Sequence, residues 1–277
     1  MRDNSSGNGR RPPPRHLDPY GNRQDKNDSA GDDFDGIIEG RNAVIEALRA
    51  GIALDKVFVA KGETDATLRH IASSARDAGA VVVDADRRKL DAMSMTKAHQ
   101  GVIAMAASAR YSTVDEILET AREKGEPPLI VICDGITDPH NLGAIIRTCE
   151  VAGAHGVIIP KRRNAGLTAT VAKASSGAVY HMPVARVANL SAAIGDLKKA
   201  GIWVFGASAF GGDQLWQTDL KGPAAFVIGS EGNGLSRLVG ENCDFIVSIP
   251  MFGKLKSLNA SVSAAIVLYE AVRQRRI

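Results

Sequence analysis

Three segments gather the side chains able to do chemistry. Asp134–Glu150 carries Asn141, Arg147 and Glu150, and Phe226–Ser236 sets one carboxylate, Glu231, among glycines. Ile249–Ser263 supplies Lys254, Lys256, Ser257 and Asn259. A carboxylate can accept a proton, whereas a guanidinium stays protonated and is a poor general base. Arg147 is therefore suited to holding an anion or stabilising developing negative charge, and the asparagines to orienting groups. Each residue also has a plainer reading. Arg147 and Glu150 are three apart and fit a surface ion pair, and Ser257 fits the N-cap of the helix that follows it.

Several familiar chemistries are missing from the sequence. Gly229-Ser-Glu-Gly-Asn-Gly234 is not GxGxxG, because its glycines fall at 229, 232 and 234. It is not a phosphate-binding P-loop either, because Leu235 stands where the lysine is needed. Gly206–Gly212 fails the same test. A close approach to a ligand and a simple tight turn both remain open for these loops. Cys133, Cys149 and Cys243 are widely spaced and odd in number, which fits reduced, buried cysteines of a cytoplasmic protein. No Cys or His cluster suggests a metal.

The elements that must position these residues follow from apolar periodicity. Hydrophobic residues make up 44% of the 277, enough for a sizeable core, and aromatics only 5%, so that core is built from Ala, Val, Ile and Leu. The second half alternates strand and helix. Strands fit 129–134, 156–160, 182–186, 202–206, 224–228 and 245–250; helices fit 141–152, 169–176, 190–200, 235–241 and 258–273. This alternation predicts a mostly parallel sheet covered on both faces, with ligands at the carboxyl ends of its strands. A smaller α/β unit precedes it, with strands at 56–60, 80–84 and 102–106 and helices at 41–50, 65–78 and 87–93. The expected division is a disordered tail over 1–34, an accessory domain over 35–107, a linker over 108–126 with a helical stretch at 114–122, and the main domain over 127–277. No apolar run is long enough to span a bilayer, and the polar start shows no secretory signal.

Charge is only permissive. A formal net charge of +3 allows an RNA partner without specifying one. The tail's Arg10, Arg11 and Arg15 suit a phosphate-touching arm and equally a tolerated tail. Lys161, Arg162 and Arg163 follow a strand directly, a place for phosphate contact that also suits a solvated turn.

Taken together, the strings DPHNLGAIIRT, GSEGNGLS and IPMFGKLKSLNASVS closely resemble the three motifs of the SpoU/TrmH group of SPOUT methyltransferases, over about residues 128–273. EGRNAVIEAL near Glu39 and HQGVIA near His99 are similar to the ribosomal-protein-like RNA-binding domain of the RlmB subgroup. The resemblance implies an α/β SPOUT domain with a deep trefoil knot, a homodimer, and transfer of a methyl group from S-adenosyl-L-methionine to a guanosine 2′-hydroxyl of large-subunit (23S) ribosomal RNA. It implies active-site roles for Asn141, Arg147, Glu231, Ser257 and Asn259, and a cofactor pocket lined by Gly206, Gly229, Ile249, Met251 and Leu258. In that setting the substrate phosphate, Glu231 or water takes the hydroxyl proton. The alternatives are methylation of a tRNA guanosine and a non-catalytic RNA-binding or ribosome-assembly role.

Overall fold

Residues 37–106 build a four-stranded sheet in the order β1-β4-β2-β3. Its elements are β1 (Ile37–Glu39), α1 (Arg41–Arg49), β2 (Leu54–Ala60), α2 (Ala66–Asp77), β3 (Val81–Ala85), α3 (Arg87–Met93) and β4 (Val102–Ala106). The structure is a computed structural model that describes Met1 and residues 36–62 and 65–276. The tail read as disordered, with its arginines, lies outside the described residues. β2 and β3 run parallel and the other two pairings antiparallel. Strand alternation sends Val57 and Val59 toward Leu68 and Ile71 of α2, and Phe58 toward Leu90 of α3. Asp65 and Asp86 start α2 and α3 by accepting from Thr67 N and Lys89 N.

The second sheet has seven strands, all parallel, in the order β7-β6-β5-β10-β8-β11-β9. Its strands are β5 (Leu129–Asp134), β6 (Gly156–Pro160), β7 (Val184–Val187), β8 (Trp203–Ser208), β9 (Asp213–Gln214), β10 (Ala224–Gly229) and β11 (Phe245–Ser248). The helices are α4 (Val114–Lys124), α5 (Pro139–Ala152), α6 (Ala169–Ala174), α7 (Leu190–Lys199), α8 (Arg237–Asn242) and α9 (Ala260–Arg276). β5 and β10 lie inside the sheet and are apolar on both faces. Val131 and Phe226 face a core shared with α5 and α9, while Ile130, Ile132 and Val227 face α4, α7 and α8.

The strand–helix alternation expected from periodicity is present, with ends shifted by up to three residues. Two short strands were not anticipated: β1, of three residues, and β9, of two. The segment expected as a linker contains α4, closed at its start by a capping box in which Thr113 and Glu116 satisfy each other's backbone groups. One expectation needs correcting. Ser257 does not cap the last helix, which begins two residues later than a cap there would place it. Asn259 does so, its Oδ1 accepting from Ser261 N at 2.9 Å and Val262 N at 3.4 Å. An asparagine oxygen serves this purpose as well as a serine hydroxyl.

A buried charge joins the two sheets. Arg186 of β7 donates to Asp55 Oδ1 at 2.6 Å and to three backbone carbonyls, Asp55 O, Leu54 O and Gly79 O. The Tyr111 hydroxyl donates to the same Asp55 oxygen at 2.7 Å and accepts from Leu167 N at 2.9 Å. The guanidinium also sits over the Tyr111 ring, 3.9 Å from its centre. Gly166 faces the carboxylate so closely that a Cβ there would lie 2.1 Å from Asp55 Oδ1. This seam fixes the smaller sheet against the outer strand of the larger one.

Candidate active site

The carboxyl ends of β5 and β10 lie side by side, with Gly229 in register with Asp134. Beyond β10 the chain makes a tight turn in which Ser230 and Gly234 exchange backbone hydrogen bonds at 3.0 and 2.9 Å. Glycine at 229 is a steric requirement of this turn, since a Cβ would come within 2.2 Å of the Gly234 carbonyl carbon. Asp134 ties the turn down by accepting from Ser236 N at 2.6 Å. The turn presents Glu231 toward the starts of two helices. α5 begins with Asp138 as cap and Pro139 in the first turn, which sets Asn141 there at only 8% exposure. α9 begins with Asn259.

These three starts meet. Asn141 Nδ2 donates to Glu231 Oε1 at 3.0 Å. Asn259 Nδ2 donates to the same oxygen at 2.6 Å and to Asn141 Oδ1 at 2.9 Å. Residues 90 and 118 positions from Asn141 thus close a three-membered ring of hydrogen bonds. The carboxylate receives two amide donors on one oxygen, leaving Oε2 outside the ring.

The other named residues are placed differently. Arg147, exposed and further along α5, donates from Nη1 to Ser176 Oγ at 3.1 Å, which replaces the surface pair with Glu150 considered from spacing. Ser257 is exposed in the loop before α9 and outside the ring. Gly206 is buried in β8, and a Cβ there would press on the side-chain ends of Leu235, Ile246 and Cys243, so packing favours glycine. Gly229 belongs to the turn just described. Ile249 and Met251 are half-buried just past β11, and Leu258 is 37% exposed. Between Ile249 and Asn259 the chain forms neither helix nor strand, so apolar side chains stand beside irregular backbone at the strand ends. That combination suits a planar heterocycle, with apolar faces for the ring and backbone groups for its edge.

Asp134, which opens the Asp134–Glu150 segment, has a role that the sequence did not disclose, since it holds the glycine turn through Ser236 N. A carboxylate at a strand end beside the glycine turn was the available signal. The basic run at 161–163 lies beside the first motif, because Asn164 Oδ1 accepts from Ile136 N at 2.8 Å and Ala165 N donates to Ile136 O at 2.8 Å. Cys133 and Cys149 are buried and unbridged, and Cys243 is half-buried. Burial, reinforced by the Asp134 charge, pushes the Cys133 thiol up to about 12, so it stays protonated and inert. Among the described residues no group of three His, Cys, Asp or Glu is placed to hold a metal ion, and no helix is long and apolar enough to cross a membrane.

Comparison with known proteins places this geometry in a family. Residues 128–269 match the SpoU rRNA Methylase family, and residues 37–112 match the RNA 2′-O ribose methyltransferase substrate-binding domain. A putative TrmH-family tRNA/rRNA methyltransferase of Bacillus subtilis is 46% identical over 238 residues, covering 86% of this chain and 95% of the relative. Among solved structures, the SpoU methyltransferase AviRb from Streptomyces viridochromogenes, in complex with AdoMet, superposes with a TM-score of 0.55 at 28% identity, covering 87% of this chain and 90% of its own. An AdoMet-bound rRNA methyltransferase from Sinorhizobium meliloti does so with a TM-score of 0.54 at 26% identity, covering 86% of each chain. With both its parts matched and its ring of strand-end polar residues drawn from all three motifs, the chain belongs to the SpoU/TrmH family of RNA methyltransferases.

Proposed function

We propose that this RNA methyltransferase uses S-adenosyl-L-methionine to methylate the 2′-hydroxyl of a guanosine ribose in large-subunit (23S) ribosomal RNA, in the cytoplasm and without a metal. The observation that carries this reading is the ring of Asn141, Glu231 and Asn259 at the carboxyl ends of a parallel sheet. When bound, S-adenosyl-L-methionine supplies an electrophilic methyl group. Ile249, Met251 and Leu258, with the irregular backbone between them, are the residues that would hold its adenine, and Gly206 and Gly229 keep the strand ends clear of side chains.

The chain's own residues then have separable roles. Asn141 and Asn259 fix the Glu231 carboxylate, so that the proton acceptor is already oriented when the hydroxyl arrives. Water and the substrate phosphate are the competing acceptors. Arg147 holds the neighbouring phosphate and offsets charge developing on the ribose oxygen. Ser257 lies in the same loop as the proposed adenine contacts and serves the substrate side. Lys161, Arg162 and Arg163, tied to the first motif's loop, add phosphate contacts, and the unit at 37–112 selects the RNA. Assembly is as a homodimer, with the chain beyond β11 threaded as a trefoil knot. Exposed Tyr180, Val262 and Tyr269 beside α5 and α9 supply apolar surface for that contact.

Mapping 2′-O-methylation across rRNA and tRNA in cells with and without the gene tests the substrate. Loss at a single large-subunit guanosine is the expected result. Loss at a tRNA position moves the substrate to tRNA, and no change anywhere points to a non-catalytic RNA-binding role. For the mechanism, purified Arg147→Ala is expected to lose at least about a hundredfold in single-turnover rate; an unchanged rate removes Arg147 from the reaction.

A further inference from the structure

Among the described residues, six helices end with the same pair of backbone hydrogen bonds, in which one N–H reaches back three residues and the next reaches back five. This ending requires its first donor to adopt the left-handed conformation, where a Cβ is strained and glycine is favoured. Five of the six comply, with Gly51, Gly79, Gly125, Gly153 and Gly201 at φ between 65° and 85°. The sixth, after α6, has Ser176 at φ 51°, although Gly177 stands right beside it. Ser176 N donates to Lys173 O and Gly177 N to Ala172 O, so the geometry is the same and only the residue differs.

What serine adds there is its hydroxyl, which accepts from Arg147 Nη1 at 3.1 Å. The approach that permits this contact is built into α5. Gly143 lies four residues before Arg147, on the same helical face, and a Cβ on it would come 2.5 Å from Ala174 Cβ. The end of α6 is thereby seated against α5, one turn from the Arg147 attachment. We infer that Ser176 is a positioning residue for the reaction: it occupies a strained left-handed position because its hydroxyl fixes the guanidinium of Arg147 for the substrate phosphate and ribose oxygen. This rests on the proposed role of Arg147.

The backbone strain makes a decisive test available. Ser176→Gly removes the hydroxyl and relaxes the conformation, so a merely structural serine should tolerate it or improve. The assay uses the full-length protein, total RNA from cells lacking the gene and labelled S-adenosyl-L-methionine, with melting temperature measured alongside. The inference expects a melting temperature at or above wild type, a kcat about tenfold lower and a KM for RNA within about twofold. Ser176→Asn, which tolerates the left-handed region and restores an acceptor, should recover part of the rate. In an Arg147→Ala background, Ser176→Gly should add no further loss. A wild-type kcat in Ser176→Gly, no recovery in Ser176→Asn, or an additive loss in the double variant each overturns the inference. If Arg147→Ala itself keeps the full rate, the role of Arg147 falls first. If only Ser176→Gly does, that role stands and Ser176 alone is removed.

Discussion

Asp55 and Glu231 are each gripped by donors from distant parts of the chain, and they are put to opposite uses. Asp55 is almost fully buried, with side-chain exposure of 3% against 6% for its partner Arg186. Glu231 is exposed and held by two neutral amides. At the seam, both charges have left water, and their cost is offset by mutual attraction, three backbone carbonyls and the Tyr111 hydroxyl. One oxygen, Asp55 Oδ2, is buried with no hydrogen-bond partner. At the candidate site, solvent can reach the carboxylate, so losing a partner costs little in desolvation. The first arrangement holds a fold and the second leaves a reactive group accessible.

Breaking the seam should therefore have the largest effect on stability. Arg186→Met leaves the Asp55 carboxyl group buried without its cationic partner in a site that already strands one oxygen, and should destabilise the protein by about 3–5 kcal/mol. Urea unfolding measures this, and a loss below about 1 kcal/mol would mean that water reaches Asp55. Burial, aided by the nearby Asp55 charge, raises the Tyr111 hydroxyl well above its usual range, so it stays a donor at any working pH.

Glu231→Gln probes the other side. Removing an exposed charge should change stability by less than about 1 kcal/mol, while kcat falls by about 10²-fold or more if this carboxylate takes the proton. An unaffected kcat assigns the proton to water or to the substrate phosphate. Asn141 is the one buried member of the ring, and it sharpens the comparison because it should show both behaviours. Asn141→Ala removes a donor to Glu231 and an acceptor from Asn259, costing about 1–2 kcal/mol of stability as well as rate.

The same contrast governs what could be read from the sequence. Asn141, Glu231 and Asn259 sit in motif strings with recognisable wording, and strand-to-loop transitions placed each near a strand end. Their convergence was legible only through the resemblance, because no spacing rule links positions so far apart. The seam left no trace. Asp55, Tyr111 and Arg186 stand in unremarkable surroundings, and a buried arginine in a strand looks like any surface arginine until its partner is known. The parallel sheet was legible because buried strands such as 129–133 and 224–228 are continuous apolar runs between amphipathic helices. β1 and β9 were not, since two or three residues cannot display a period. The last helix was started too early because two residues able to cap it, Ser257 and Asn259, stand two apart, and only the hydrogen bonds distinguish them.

Glu39 tests whether exposure or partner chemistry sets a carboxylate's role. It stands on β1, and burial works against its charge. Hydrogen bonds from the Thr96 hydroxyl, Met95 N and the Ser94 hydroxyl outweigh that and bring it down to about 2 from an ordinary value of 4.5. Its donors are neutral, like those of Glu231, yet they organise the turn at 94–96 rather than a reaction. Because its folded value lies below the unfolded one, its contribution to stability is fully present above about pH 4.5 and is lost as pH falls toward 2. Glu39→Gln should flatten the pH dependence of unfolding in that window and leave methylation at neutral pH unchanged. It should do so by a smaller amount than any change above, since the carboxylate is only partly withdrawn from water. An unchanged acid limb would mean that the turn, and not the charge, holds β1 in place.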